Sequence, residues 1–235
     1  MHNGAFNWLE YFGLPEAYNH IGMTLLVAGA LVLIGALGRW QLVRTMAGPD
    51  GGLVPDETWT FRNFLEIVAE RMYGLTESVI GQHDAPIYFP LIGTLFLFIF
   101  ISNVMGLIPG IAPSTENLNT TFALGFFVFI YYNYCGLKAH GLSYFKHFLG
   151  PVWWLAWLML PIEVVSHVVR PVSLSLRLRG NIMGDHIVLG VFNGLVPYVV
   201  PVIFYGLGLF VAFIQAFVFV LLTMVYISLS SSHDH

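Results

Sequence analysis

Charge is what this chain has least of. Asp, Glu, Lys and Arg make up only 9% of its 235 residues, against about 25% in an average soluble domain. Hydrophobic residues make up 57%, so the composition describes a polytopic membrane protein and excludes a water-soluble enzyme. The formal charge of -4 is spread through the loops, with no block of like charge that would bind nucleic acid. Cysteine is nearly absent as well. Cys135 stands alone, which excludes an internal disulfide and reads as a small buried apolar side chain. The first nineteen residues hold Glu10 and Glu16 but no Lys or Arg, so the basic start of a signal peptide is missing. Residues 1–20 are expected to form an external arm before a single membrane domain, 21–235. No GxxxxGK(S/T) pattern occurs, so no nucleotide site is expected. No cofactor or metal is expected either, and the SSSHDH end reads as solvated. No internal repeat stands out.

What the sequence does have is long apolar runs. The reading is all-α, with five crossings near 21–37, 87–108, 122–137, 148–189 and 198–229. At 1.5 Å per residue the last two would reach about 60 and 48 Å, against about 30 Å of hydrocarbon. They must tilt or break, and Pro151, Pro161 and Pro171 offer break points in the first of them. Between the first two runs, Phe61, Phe64, Leu65, Val68, Met72 and Leu75 recur at helical spacing. They predict an amphipathic helix that lies on the membrane surface or docks on a partner. Arg39, Arg44, Arg62, Arg71, Lys138 and Lys146 fall in two inter-helix segments, while the 109–118 loop and the 190–197 turn have no basic residue. Basic residues accumulate on the cytoplasmic side. The N-terminus is therefore expected outside and the C-terminus inside.

Three arginines, Arg170, Arg177 and Arg179, lie with Glu163, Asp185 and His186 inside the apolar stretch 161–190. One Arg at the centre of a membrane helix costs about 2.5–3.5 kcal/mol on insertion scales, so such a group needs a partner and a purpose. At 100° per residue, Glu163, Arg170, Arg177 and Asn181 share one stripe. Arg179 and His186 form a second, roughly opposite Arg177, with Asp185 to the side. Ser173, Ser175, Gly180 and Gly184 flank Arg177 and permit close approach of another helix. No acid stands three or four residues from Arg177, so its counter-charge comes from elsewhere in the fold or from another protein. Arg179 is expected to pair with Asp185 or another acid.

These residues form a pattern. RPVSLSLRLRGNIMGDH at 170–186 closely resembles the signature of subunit a of the rotary ATP synthase, the membrane stator beside a rotating ring of c subunits. That family has Pro-(Val/Leu)-Ser-Leu, then Leu-Arg-Leu-Phe-Gly-Asn, then an acid or His six residues after the Gly. Arg177, Gly180, Asn181 and His186 occupy those places. IQAFVFVLLTMVYISL puts Gln215 at the family's last-helix Gln. Ser102-Asn103 with Pro109 matches its second spanning helix, and PSTENLNTT its following loop. The likeness runs from about residue 90 to 229.

The resemblance implies that Arg177 meets the carboxylate of the c ring, lowering its pKa and blocking a short circuit between two half-channels. It places Gln215 beside Arg177. Asn181, His186, Asn103 and Asp185 would line the half-channel from outside, and Glu163, about 21 Å before Arg177, the exit to the inside. It also implies peripheral-stalk b subunits and the rest of the ATP synthase as partners, a bacterial inner membrane as location, and no catalysis by this chain alone. Two positions depart from the pattern. Arg179 replaces the usual Phe and has no role in it. Gly208 stands where some relatives have a His that works with an acid at 186, which shifts a protonatable relay onto His186 and Asp185. A haem subunit would need histidines opposed across two helices, and His167 and His186 share one. An ion-coupled secondary transporter remains the alternative, though the repeated halves of that class are not visible.

Overall fold

The computed structural model describes residues 18–46, 60–108, 111, 113–141, 154, 156–195 and 200–231. The GPDGG cluster, Lys146, Pro151 and most of the expected arm and tail lie outside them. Six helices follow one another: α1 (Asn19–Met46), α2 (Phe61–Ile80), α3 (Ala85–Met105), α4 (Leu118–His140), α5 (Ala156–Leu195) and α6 (Val200–Ser231), with one 3-10 turn, Ser114–Glu116, ahead of α4. Among the described residues there is no strand. All but α2 are long and apolar enough to cross a membrane.

Each spanning helix is apolar nearly all round, yet each buries a stripe. In α3 it is Ile92, Leu95, Phe96, Ile99, Ser102 and Asn103; in α6 it is Ala212, Ala216, Phe219, Val220, Thr223, Met224 and Ile227. Both follow the three-and-four spacing of one helix face. Large apolar side chains cover the outside, among them Leu25, Val32, Phe126, Ile130, Val202 and Phe210. A surface of that kind suits lipid, where apolar contact carries no hydration penalty.

In α5 the buried stripe is Leu174, Ser175, Leu178 and Ile182. Arg177 and Arg179 precede and follow Leu178 and so project roughly 100° to either side of it. Helix α5 runs forty residues unbroken through Pro161 and Pro171, so neither proline acts as a break point. Helix α4 lies hard against α5 where Gly125 meets Pro171: a Cβ on Gly125 would stand 2.7 Å from the Pro171 carbonyl oxygen. Ser175 Oγ stands 2.7 Å from that oxygen and 3.0 Å from the Thr121 carbonyl.

The amphipathic α2 finds its cover in the chain itself. Val68, Met72, Leu75, Val79 and Ile80 pack on the core built by α3, α4, α5 and α6, and Tyr73 meets Phe89 edge-on. Phe64, which the spacing assigned to the apolar face, is 56% exposed.

Candidate functional site

The polar residues of α3, α5 and α6 collect near the end of the bundle where α3 runs into the Ser114–Glu116 turn. Gly106 caps α3 there, and the chain returns so closely that a Cβ on Gly106 would sit 2.7 Å from Pro113 Cγ. This near contact docks the turn. Ser102 Oγ and Ser114 Oγ share a proton at 3.0 Å, and Thr115 donates to Asn103 Oδ1 at 2.9 Å, both buried. Glu116 is thereby aimed at α5.

His186 faces Glu116. Its Nε2 donates to the Gly106 carbonyl at 3.1 Å, while its Nδ1 stands 3.5 Å from Glu116 Oε2. A backbone carbonyl only accepts, so Nε2 must carry a proton. Nδ1 is then the one basic nitrogen directed at the carboxylate, and a single exchangeable proton is shared between them. The hydrogen bond from His186 holds the Glu116 carboxyl below its usual range, with a smaller contribution from the Arg179 charge and some opposition from burial.

Beside this pair is a cavity of about 20 Å³ lined by Asn103, Asn181, Asp185, His186, Gly208 and Gln215 among others. That is room for one water. Asn181 Nδ2 donates to Gln215 Oε1 at 2.6 Å. Gln215 is 3% exposed and Asn103 6%. The Asn103 Nδ2, buried with no hydrogen-bond partner, suits a site where a water completes the bonding. Gly208 is filled from across the bundle, since a Cβ there would lie 2.6 Å from Leu107 Cδ2. Asn181 and Asp185 also line an open groove of about 420 Å³ with Gly180, Gly184, Val211 and Ile214. These two residues therefore face both the enclosed cavity and the outer surface.

Of the residues singled out in the sequence, Asn103, Asn181, Asp185, His186 and Gln215 come together around one cavity. Arg177 does not line it; it is exposed one turn from Asn181, between the open groove and apolar Leu176 and Met183. Among the described residues Arg177 makes no ion pair, and Arg179 makes none with Asp185. The acid that Arg179 acts on is Glu116. Glu163 lies toward the other end of α5, where it and Arg170 act electrostatically on His167. That second cluster has its own bonds: His167 Nε2 pairs with Asn133 Oδ1 at 2.8 Å, and Arg170 lies over the Tyr226 ring at 5.3 Å. The sequence reading overlooked Glu116, Thr115, Asn133 and the bonding of His167. One signal was available for the first: Glu116 is the single acid in a loop with no basic residue.

Fold and cluster define a class: a multi-pass helical membrane protein with protonatable side chains inside its bundle. Comparison narrows it. The family described as ATP synthase A chain matches residues 20–228. The chain is 46% identical over 233 residues to "ATP synthase subunit a" of Bdellovibrio bacteriovorus, covering 98% of this chain and 100% of that one. It is 44% identical over 218 residues to "ATP synthase subunit a 2" of Syntrophotalea carbinolica, with 93% and 88% covered. With "ATP synthase subunit a" of Geobacter sulfurreducens it shares 49% over 174 residues, 74% and 76% of the two chains. The protein belongs to the ATP synthase subunit a family. It is a multi-pass bacterial membrane subunit of that complex and not an enzyme by itself.

Proposed function

We propose that this chain is the proton-conducting stator of its ATP synthase, with two offset half-channels and Arg177 between them facing the carboxylates of a c-subunit ring. The observation that carries the reading is the position of Arg177. It stands exposed twenty-one residues into the forty-residue α5, near mid-membrane, amid apolar neighbours and with no acid paired to it among the described residues. A charge so placed calls for a partner, and a carboxylate on a passing helix supplies one.

Gly180 and Gly184, where an added Cβ would meet nothing within 4 Å, leave room beside Arg177 for that helix. Asn103, Asn181, Asp185, His186 and Gln215 form the half-channel from outside. Glu163 stands at the mouth of the one to the inside. A ring carboxylic acid reaching Arg177 loses its proton because the guanidinium favours the anion. The ring then moves on to be reprotonated from the other half-channel. One proton crossing 100 mV supplies about 2.3 kcal/mol to bias this exchange in one direction. The N-terminal arm 1–20 lies outside and the C-terminus inside, and b subunits hold the membrane domain 21–235 against the ring.

Disulfide cross-linking tests the partner. In a Cys135→Ser background, Gly184→Cys should form a disulfide with a cysteine placed beside the ring carboxylate, and Val128→Cys, buried in the core, should not. Absence of a Gly184→Cys product in an assembled, pumping complex would remove the ring from this face.

A further inference from the structure

Arg179 is the one charge of α5 that the proposed half-channels leave without a task. It lies seven residues, about 10.5 Å, before His186 on the same flank of the helix. The turn that carries Glu116 packs against this flank. Its Nε is buried with no hydrogen bond, although the residue as a whole is only half-buried. A guanidinium stays charged at every accessible pH, so Arg179 is a fixed cation beside a pair that exchanges a proton. The chain's other departure points to the same place. Gly208 offers no side chain and Leu107 closes the space, so the acid that meets His186 is Glu116 from the turn.

We propose that Arg179 is a tuning residue of the outer half-channel: its fixed charge sets how tightly the Glu116–His186 pair holds the proton in transit. This rests on the half-channel reading given above. With the cation present, the anionic form of Glu116 is favoured and the shared proton is released more readily. Without it, the pair loads at higher pH and releases more slowly. The other groups near the pair are few. Asp185 adjoins His186 on α5, and α1 brings His20 in its first turn. Toward this end α3, α4 and α6 bring no charged residue, Tyr205 of α6 being their titratable side chain. Arg179 is thus the only permanent cation at this end of the helices.

The test is ATP synthesis by inverted vesicles carrying the whole complex. The lumen pH is varied at fixed outer pH, and a potassium diffusion potential keeps the total driving force constant. The lumen faces the outer half-channel, so the midpoint of rate against lumen pH reports loading of the pair. Arg179→Met should raise that midpoint by about one pH unit, the lower end of what a neighbouring opposite charge does, while Arg179→Lys leaves it in place. Glu116→Gln, which removes the acid and keeps the cation, should move it the opposite way. An Arg179→Met complex that is slower at every pH with an unmoved midpoint would make Arg179 merely structural and overturn the proposal. Should Arg179→Met not assemble, Glu116→Gln decides: a midpoint that rises or stays fixed also overturns it. Failure of the half-channel reading looks different, since neither variant would then move the midpoint and Arg177→Ala would still conduct.

Discussion

Replacing Gly106 by Ala is a sharp test of how the turn is held. The backbone of Gly106 is helical, φ -66° and ψ -17°, so alanine fits it without strain and by propensity alone would be favoured by about 0.8–1.0 kcal/mol. Packing predicts the reverse. The new Cβ would lie 2.7, 2.8 and 3.1 Å from Cγ, Cβ and Cδ of Pro113, where unstrained carbon contacts need about 3.5–4.0 Å. A pyrrolidine ring cannot swing aside, so the turn itself must retreat by about 1 Å. Glu116 N–H bonds the Pro113 carbonyl at 3.1 Å and moves with it. The 3.5 Å approach of Glu116 to His186 would open beyond any hydrogen bond. Overpacking of this kind costs about 1–3 kcal/mol, more than the propensity gain. Gly106→Ala should therefore lower the thermal midpoint of the purified complex and shift its lumen-pH midpoint downward, as Glu116→Gln does. Gly180→Ala, which meets nothing within 4 Å, should leave the chain's own melting unchanged. If Gly106→Ala melts at or above the wild-type temperature with its pH midpoint in place, the Pro113 contact is not what positions Glu116.

Three further outcomes follow from the same geometry. Gly125→Ala would press its methyl on the Pro171 carbonyl oxygen at 2.7 Å; helix backbone cannot yield there, and the complex should lose about 1–3 kcal/mol by thermal unfolding. Gly208→Ala meets only the mobile end of Leu107 and should cost less than about 1.5 kcal/mol, whereas Gly208→His should assemble well only with Leu107→Ala. Because the folded state depresses the Glu116 pKa, its contribution to stability is complete above the unfolded value near 4.5 and is lost as pH falls through the lower folded value. Wild-type melting temperature should fall over that acid range, and that of Glu116→Gln should fall less; equal slopes would contradict the assignment.

The charges of α5 were legible because a bilayer makes them conspicuous: Arg177, Arg179 and His186 stand out in an apolar run, and their helical phases follow from 100° per residue. The family motif then supplied their neighbours Asn103 and Gln215. Glu116 was not legible, because an acid in a polar loop is ordinary until Gly106 and Pro113 close on one another and bring it to α5. That closure depends on the absence of one Cβ, which no periodicity displays. The prolines of α5 misled in the other direction. Pro161 and Pro171 suggest breaks, yet the helix continues, with Ser175 Oγ and the backbone of α4 packed beside Pro171. For α2 the spacing identified an apolar face but not what it meets, since lipid, a partner and the chain's own core all accept Met72 and Leu75 equally.

The central claim is that Arg177 works on an acid of another subunit, and ATP-driven proton pumping by inverted vesicles carrying the assembled complex with Arg177→Ala tests it most directly. The account predicts that pumping is lost while the complex remains assembled and the Arg179→Lys complex pumps normally. Normal pumping by a fully assembled Arg177→Ala complex would contradict it.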